Sequence, residues 1–211
     1  MLSSSREEIL KRIAAVSKGR SAFVDNHLVD NEPIYKSVLP DAVTCFKKEL
    51  EAINGQCILC ENDQDAYQKI KSLLQEKSIS SVFCRNTIIN EQLAQFDVPS
   101  TSDKDQFIGM AAGISECEFL IARTGSVLVS SASESGRQMN VFPPIHLVLA
   151  HVSQLVETPE DALNAIQLKY GDFLPSTITT ITGPSRTADI EKTLVLGAHG
   201  PKEFIVFLSV L

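Results

Sequence analysis

The stretch DAVTCFKKELEAINGQCILCENDQDAYQKIKSLLQEKSISSVFC, residues 41–84, alternates helical patterns with short apolar runs. One helical pattern covers residues 41–53, and a second opens at Asp63 or Asp65 and runs to Lys77. The apolar runs are residues 57–60 and 81–84. This alternation is typical of βαβ units with parallel strands, and the scarcity of polar residues in the runs is expected of strands buried on both faces. The stretch therefore predicts an α/β fold.

The second half of the chain contains strands at closer spacing. The apolar runs lie at residues 119–122, 127–130, 145–150, 177–181 and 204–210. One helix interrupts them, with Thr158 as N-cap and Pro159 at the first helical position, where proline is favoured. The sequence as a whole predicts an open, mixed, largely parallel sheet flanked by helices.

The N-terminal region has a different sequence pattern from the rest of the chain. Residues 5–16 form an amphipathic pattern with Ile9, Ile13 and Val16 on one face, and polar residues follow up to residue 32. We predict an N-terminal helix and linker over residues 1–30 and one α/β domain over residues 31–211. The first helix either forms a mobile arm that packs on a partner or covers the core as an ordinary helix.

Charge and hydropathy exclude several classes of protein. The chain of 211 residues carries a formal net charge of -7. No basic stripe is present, so nucleic acid is not an expected partner. No apolar run approaches the length of a membrane span, and the N-terminus has no secretory pattern, so we expect a cytoplasmic protein.

The chain contains five cysteines, two of them in Cys57-Ile-Leu-Cys60. Such a pair can bind metal or act in redox chemistry, but the other cysteines are single and no histidine lies at ligand spacing. Residues three apart on a strand point to opposite faces. The alternative is that these cysteines are reduced and buried in a strand, and we predict no metal site.

The richest candidate for a functional site follows the predicted strand 177–182. The segment Gly183-Pro184-Ser185-Arg186-Thr187 places flexible backbone, two hydroxyls and a guanidinium just past the carboxyl end of a strand, where open α/β sheets bind ligands. Backbone N–H groups there can cradle an anion, and Arg186 can hold a carboxylate or phosphate through two parallel hydrogen bonds. We predict that these five residues bind a ligand.

Two carboxylates come next in the sequence. Asp189 and Glu191 share a face if that stretch is extended, which suits general acid–base catalysis or binding of a hard cation. The alternative is that Arg186 pairs with one of them only to hold a turn.

Two further segments could complete such a site. Thr124, Gly125 and Ser126 follow Arg123 at a glycine break between strands, and a hairpin turn explains them equally well. His199 lies between glycines in Gly197-Ala-His-Gly200, where a histidine can exchange protons near neutrality. We predict Thr124, Gly125 and Ser126 as ligand-binding residues, and Asp189, Glu191 and His199 as catalytic residues.

The chain resembles the lactate-utilisation (LUD) domain family. The resemblance rests on ordered segments, of which the most specific is Gly183-Pro-Ser-Arg-Thr-Ala-Asp-Ile-Glu191. The supporting segments are Gly113-Ile-Ser-Glu-Cys-Glu-Phe-Leu-Ile-Ala-Arg-Thr-Gly-Ser126, Pro143-Pro-Ile-His146, Thr158-Pro-Glu-Asp-Ala162 and Val195-Leu-Gly-Ala-His-Gly-Pro201. The detailed match covers about half of the chain, residues 107–211.

The resemblance implies a fold like that of the NagB/RpiA/CoA-transferase group and a role in oxidation of L-lactate to pyruvate. It also implies partner subunits that carry iron–sulfur clusters. This chain lacks a cluster-binding cysteine array, so we expect it to bind no cofactor and to leave electron transfer to those partners. One position departs from the family, because Arg123 stands where an acidic residue is expected. A reversed charge there would change the ligand or recruit a different anion.

Three hypotheses for the function follow. The first is an accessory, non-redox component of lactate utilisation that binds a small anionic metabolite. The second is a free-standing isomerase or acyl/CoA-transferase-like enzyme acting on a phosphorylated or carboxylated metabolite. The third is a structural module in which the Gly183 loop only locks the sheet, so that mutation of Arg186 would cost stability and not ligand affinity.

Overall fold

The computed structural model describes residues 5–16, 38–135, 137–187 and 195–210. The chain divides into two units, Met1–Lys36 and Ser37–Leu211. In the first unit, α1 spans Ser5–Val16, as predicted. The linker predicted after α1, together with Asp189 and Glu191, lies outside the described residues. No described helix combines the length and the apolar character needed to cross a membrane.

The second unit is built around a six-stranded parallel sheet. Its strands are β1 (Gln56–Cys60), β2 (Val82–Phe83), β3 (Ser100–Thr101), β4 (Ala112–Glu116), β7 (Ile145–His151) and β12 (Glu203–Ser209). The order across the sheet is β1-β12-β7-β4-β2-β3. All adjacent strands run parallel, so the carboxyl ends of the strands share one edge of the sheet and their amino ends share the other.

Helices cover one face of this sheet. Helices α3 (Asp63–Glu76) and α4 (Thr87–Gln95) bury an apolar stripe against it. Their buried side chains include Ile70 and Leu93, which join Ile114 and Phe207 of the sheet in one core cluster. Burial of several such side chains, each worth about 1.5–3 kcal/mol, holds the helices in place.

A second, smaller sheet covers the other face together with α2 (Ala42–Ala52). It contains β5 (Phe119–Ile121), β6 (Ser126–Ser130), β8 (Leu155–Val156) and β9 (Ile178–Ile181) in the order β8-β5-β6-β9. Helix α5 (Pro159–Tyr170) packs on its outer surface through Ala162 and Ile166. A short antiparallel pair, β10 (Arg186–Thr187) with β11 (Val195–Leu196), lies apart from both sheets in its hydrogen bonding. Of the later predicted strands, β7 and β12 therefore belong to the parallel sheet, and β5, β6 and β9 belong to the smaller one.

Local signals read from the sequence correspond to real contacts. Thr158 caps α5, and its side chain and that of Asp161 exchange hydrogen bonds with each other's backbone N–H. Cys57 and Cys60 are both buried, in clusters on opposite faces of the parallel sheet. The prediction of buried strand cysteines is therefore confirmed.

Candidate functional site

The predicted turn residues Thr124, Gly125 and Ser126 connect β5 to β6 and are packed against α2. Gly125 has a φ of 58°, and a β-carbon there would overlap the backbone nitrogen of Leu50. Ser126 is buried, and its hydroxyl lies 2.9 Å from the hydroxyl of Thr182. The antiparallel β5–β6 hairpin agrees with the alternative considered for this segment. These residues contribute to packing between α2 and the smaller sheet.

Arg123 lies in the same turn. It is half-buried, and its backbone N–H donates to the carbonyl of Glu157 at 3.1 Å. The expectation that its charge changes the ligand stays a prediction.

The segment after β9 contacts the loop that carries His199. Gly183, with a φ of 78°, lies against the carbonyl oxygen of Ile53, and Pro184 is buried. The N–H of Ser185 donates to the carbonyl of Pro201 at 2.8 Å, and the N–H of Gly197 donates to the carbonyl of Ser185 at 2.9 Å. The fold thus brings the predicted segments 183–187 and 197–201 together. Arg186 is exposed and Thr187 half-buried on β10.

A cavity of about 380 Å³ opens beside this loop. It is lined by Val141, Phe142, Pro144, Gly197, Ala198, His199, Gly200 and Lys202. Pro144 and Lys202 directly precede β7 and β12, so the cavity lies at the amino ends of the parallel strands, and we call it the amino-edge cavity. Among its described lining residues, the ionisable side chains are the imidazole of His199 and the ammonium of Lys202. The cavity therefore favours an anion.

A second region lies at the opposite edge of the parallel sheet. Two cavities, of about 240 and 260 Å³, share Asn86 and Glu116 as lining residues. Asn86 follows β2 and Glu116 ends β4, while His151 and Ser209 end β7 and β12. We call the two cavities together the carboxyl-edge groove. The carboxyl edge is where ligands bind in open parallel sheets.

Glu118 is the most enclosed charged group of this groove, with a side chain only 5 % exposed. Its Oε1 accepts hydrogen bonds from Ser130 at 2.6 Å and Tyr170 at 2.7 Å, and its Oε2 accepts one from Lys169 at 2.6 Å. Burial raises the pKa of this carboxyl, but the hydrogen bonds from Lys169, Ser130 and Tyr170 together hold it below its usual value. Glu118 is thus a carboxylate whose hydrogen-bonding sites are largely occupied.

Glu116 makes a different set of contacts. Its Oε1 accepts from Ser133 at 2.7 Å and its Oε2 accepts from Ser135 at 3.0 Å. A carboxylate has about four acceptor sites, so part of its capacity remains available toward the groove. The described residues contain no cluster of three or more His, Cys, Asp or Glu side chains placed to hold a metal ion.

Comparison with known proteins identifies the family. The model of the LUD domain matches residues 43–209. The chain belongs to the LUD domain family. The match extends through β1, α3 and the whole parallel sheet, well beyond the segments that carried the resemblance in the sequence.

Individual relatives of this LUD domain agree with that assignment. Lactate utilization protein C of Bacillus subtilis is 36% identical over 91 residues, which is 42% of this chain and 38% of the relative. The protein of the same name from Geobacillus thermodenitrificans is 38% identical over 91 residues, with the same coverage. An uncharacterised protein of Neisseria meningitidis serogroup B is 35% identical over 100 residues, covering 47% of this chain and 42% of the relative. The matched segments span about two fifths of these relatives.

A solved structure confirms the fold of the LUD domain. The crystal structure of a DUF162 family protein from Deinococcus radiodurans superposes with a TM-score of 0.59 over 80% of this chain and 96% of that protein. The sequence identity is 16%, so the likeness concerns the fold alone.

Sequence reasoning missed the carboxyl-edge residues of the LUD domain. Glu116 and Glu118 stand inside Gly113-Ile-Ser-Glu-Cys-Glu118, but β4 has few large apolar residues and was not recognised as a strand. Lys169 and Tyr170 could not be recognised from the sequence, because they lie at the end of α5, which packs on the smaller sheet. The signal that could have identified Glu116 and Glu118 as candidate site residues is their position on either side of Cys117, just after a stretch of small residues.

Proposed function

We propose that this LUD domain serves lactate utilisation by binding a small carboxylate anion in the amino-edge cavity. The observation that carries the proposal is the cavity's charge, because Lys202 supplies a cation and the described lining residues include no acidic group. Two of the relatives are named lactate utilization protein C, and we take the pathway, lactate utilisation, from that name. Lactate and pyruvate are small carboxylates, and they carry the negative charge that this lining favours.

The amino-edge cavity can treat the two ends of such a molecule differently. Its lining combines the charged Lys202 and the imidazole of His199 with the apolar side chains of Val141, Phe142 and Pro144. The carboxylate would accept hydrogen bonds from the cation and the imidazole, while the methyl group would lie against the apolar side chains. A methyl-bearing carboxylate is therefore a better fit than a fully polar anion.

Replacing Lys202 with glutamine tests this proposal. Titration calorimetry with lactate and with pyruvate should show binding to the unmodified chain and at least about tenfold weaker binding to Lys202→Gln, since a charge-assisted hydrogen bond is lost. Lys48, exposed on α2, offers a matched control, and Lys48→Gln should bind like the unmodified chain. Equal affinity in the two variants would overturn the assignment of the cavity.

We further propose an accessory role beside iron–sulfur subunits that carry the electrons of lactate oxidation. Burial raises the pKa of Cys57 to about 12, of Cys60 to about 11 and of Cys84 to about 12. Iron–sulfur clusters bind thiolates, and buried thiols with raised pKa values stay protonated at neutral pH. These cysteines are therefore poorly suited to hold a cluster.

Affinity purification tests this accessory role. A tagged chain recovered from its own cells during growth on lactate should carry iron–sulfur proteins with it. Deletion of the chain should also slow growth on lactate. Recovery of a solitary protein, with growth on lactate unchanged by the deletion, would contradict the proposal.

A further inference from the structure

The carboxyl-edge groove has no part in anion binding at the opposite edge of the sheet. It nevertheless has the features of a binding site, because it is a cavity at the carboxyl ends of parallel strands and is lined by the buried carboxylate of Glu118. The side chain of Glu118 is 5 % exposed, whereas that of its partner Lys169 is 52 % exposed. Burying a carboxylate costs stability unless its charge is paired and hydrogen-bonded, and here it lies at the wall of a cavity.

The charges of the groove are wrong for a small anion. Its polar half is lined by Glu116, Glu118 and Glu134, against the single cation Lys169 among the described lining residues. Carboxylates accept hydrogen bonds and do not donate them when ionised. Since the oxygens of Glu118 are already engaged, Glu116 and Glu134 are the carboxylates with capacity left for a ligand. The polar half therefore calls for a ligand that donates, and hydroxyl groups do so without charge.

The other half of the groove has a different chemistry. Beyond the shared Asn86 and Glu116, its lining includes Tyr67, Ile88 and Leu149, with Asp63 and His151 also present. Because its exposed lining surface is mainly apolar, we call it the apolar half. Ile88 is 69% exposed, which is a large exposure for an isoleucine at the wall of a cavity. An apolar or aromatic group bound there would cover it. The two halves, of about 240 and 260 Å³, adjoin through Asn86 and Glu116, so one ligand can extend over both.

We propose that the carboxyl-edge groove is a second binding site and that its ligand is a nucleoside. The ribose hydroxyls donate to Glu116, in the way that an acidic residue binds ribose in other parallel α/β sheets. The base lies in the apolar half, against Ile88 and Leu149. Lys169 remains paired with Glu118.

Titration calorimetry with adenosine, guanosine, cytidine and uridine tests the proposal. At least one nucleoside should bind, and Glu116→Gln should weaken it by at least about tenfold, because a hydrogen bond to a charged acceptor is lost. The matched control is Glu91→Gln, at an exposed position of α4, which should leave affinity unchanged. Lys202→Gln should also leave nucleoside affinity unchanged. The nucleoside proposal and the anion proposal can therefore be contradicted independently of each other.

A second variant keeps the proposal testable if Glu116→Gln does not fold. Ile88→Asn changes an exposed side chain and should also weaken nucleoside binding, whereas Ile108→Asn, at a position 82% exposed on another turn, should not. Absence of binding by all four nucleosides at millimolar concentration would overturn the proposal. So would nucleoside binding that is equally strong in the folded Glu116→Gln and Ile88→Asn variants.

Discussion

Replacing Gly125 with alanine is expected to lower the free energy of unfolding by about 4 kcal/mol, among the largest effects of a single methyl group. Gly125 has a φ of 58°, where an L side chain costs roughly 1–2 kcal/mol. The added β-carbon would also overlap the backbone nitrogen of Leu50 and lie 2.5 Å from the carbonyl carbon of Glu49. Because the obstacle is backbone, α2 would have to move away from the smaller sheet.

Gly171 provides a control for the overlap with backbone. Its φ is 57°, nearly that of Gly125, but nothing lies within 4 Å of a β-carbon added there. Its ψ of -127° differs from the 31° of Gly125, so Gly171→Ala should cost only a conformational term, on the order of 1–3 kcal/mol. Urea unfolding of both variants measures the difference. Equal losses of unfolding free energy in the two variants would contradict the close packing of Gly125 against α2.

His146 is expected to make the protein lose stability between pH 6.5 and about 4. It is fully buried, its Nε2 lies 2.7 Å from the Ser115 hydroxyl, and its Nδ1 finds no hydrogen-bond partner among the described residues. Burial lowers the pKa of His146 to about 4 from an ordinary value of 6.5. Below pH 6.5 the unfolded chain therefore binds a proton that the folded chain does not.

The direction of the effect follows from this difference. The stabilisation from neutral His146 is complete above pH 6.5 and falls by up to about 1.4 kcal/mol per pH unit as the pH drops toward 4. The whole loss is on the order of 3 kcal/mol. Urea unfolding at several pH values should show this slope, and His146→Gln, which does not titrate, should flatten it. Ser115→Ala removes the hydrogen bond but keeps the imidazole, so it should keep the slope. An unchanged slope in His146→Gln would contradict the prediction.

Much of the fold could be predicted from local patterns. Helices α2 and α3 carry clear apolar periodicity, and the structure places their ends within about two residues of the prediction. Thr158 and Pro159 mark the start of α5 because capping chemistry is local to the sequence. The opposite faces of Cys57 and Cys60 follow from the two-residue period of a strand.

Strand β4 and helix α4 are among the elements that escaped prediction, because their patterns are weak. Strand β4 lies at Ala112–Glu116, where Ile114 is the one large apolar residue. Its burial comes from neighbours in space, since Gly113 passes so close to Met139 and Pro143 that a β-carbon would not fit. Helix α4 begins at Thr87 after an Asn86 cap, but its short span gave too few turns for a periodic signal.

The position of the predicted site shows a further limit. The rule that ligands bind past the carboxyl ends of strands was applied to the strand before Gly183. That strand is β9, which belongs to the smaller sheet, and Gly183 lies against Ile53 near the amino end of β1. Which sheet a strand joins depends on long-range pairing, which a single sequence does not show. The carboxyl ends of the parallel strands instead gather Asn86 and Glu116.

Mapping a small carboxylate onto the backbone by NMR tests the central claim most directly. Titration of isotope-labelled protein with lactate, and separately with pyruvate, would follow the amide signal of each residue. The proposed function predicts that the largest shifts fall on Gly197, Ala198, His199 and Lys202, which line the amino-edge cavity. Shifts confined to Asn86, Glu116 and the rest of the carboxyl-edge groove, or no saturable shift with either acid, would contradict it.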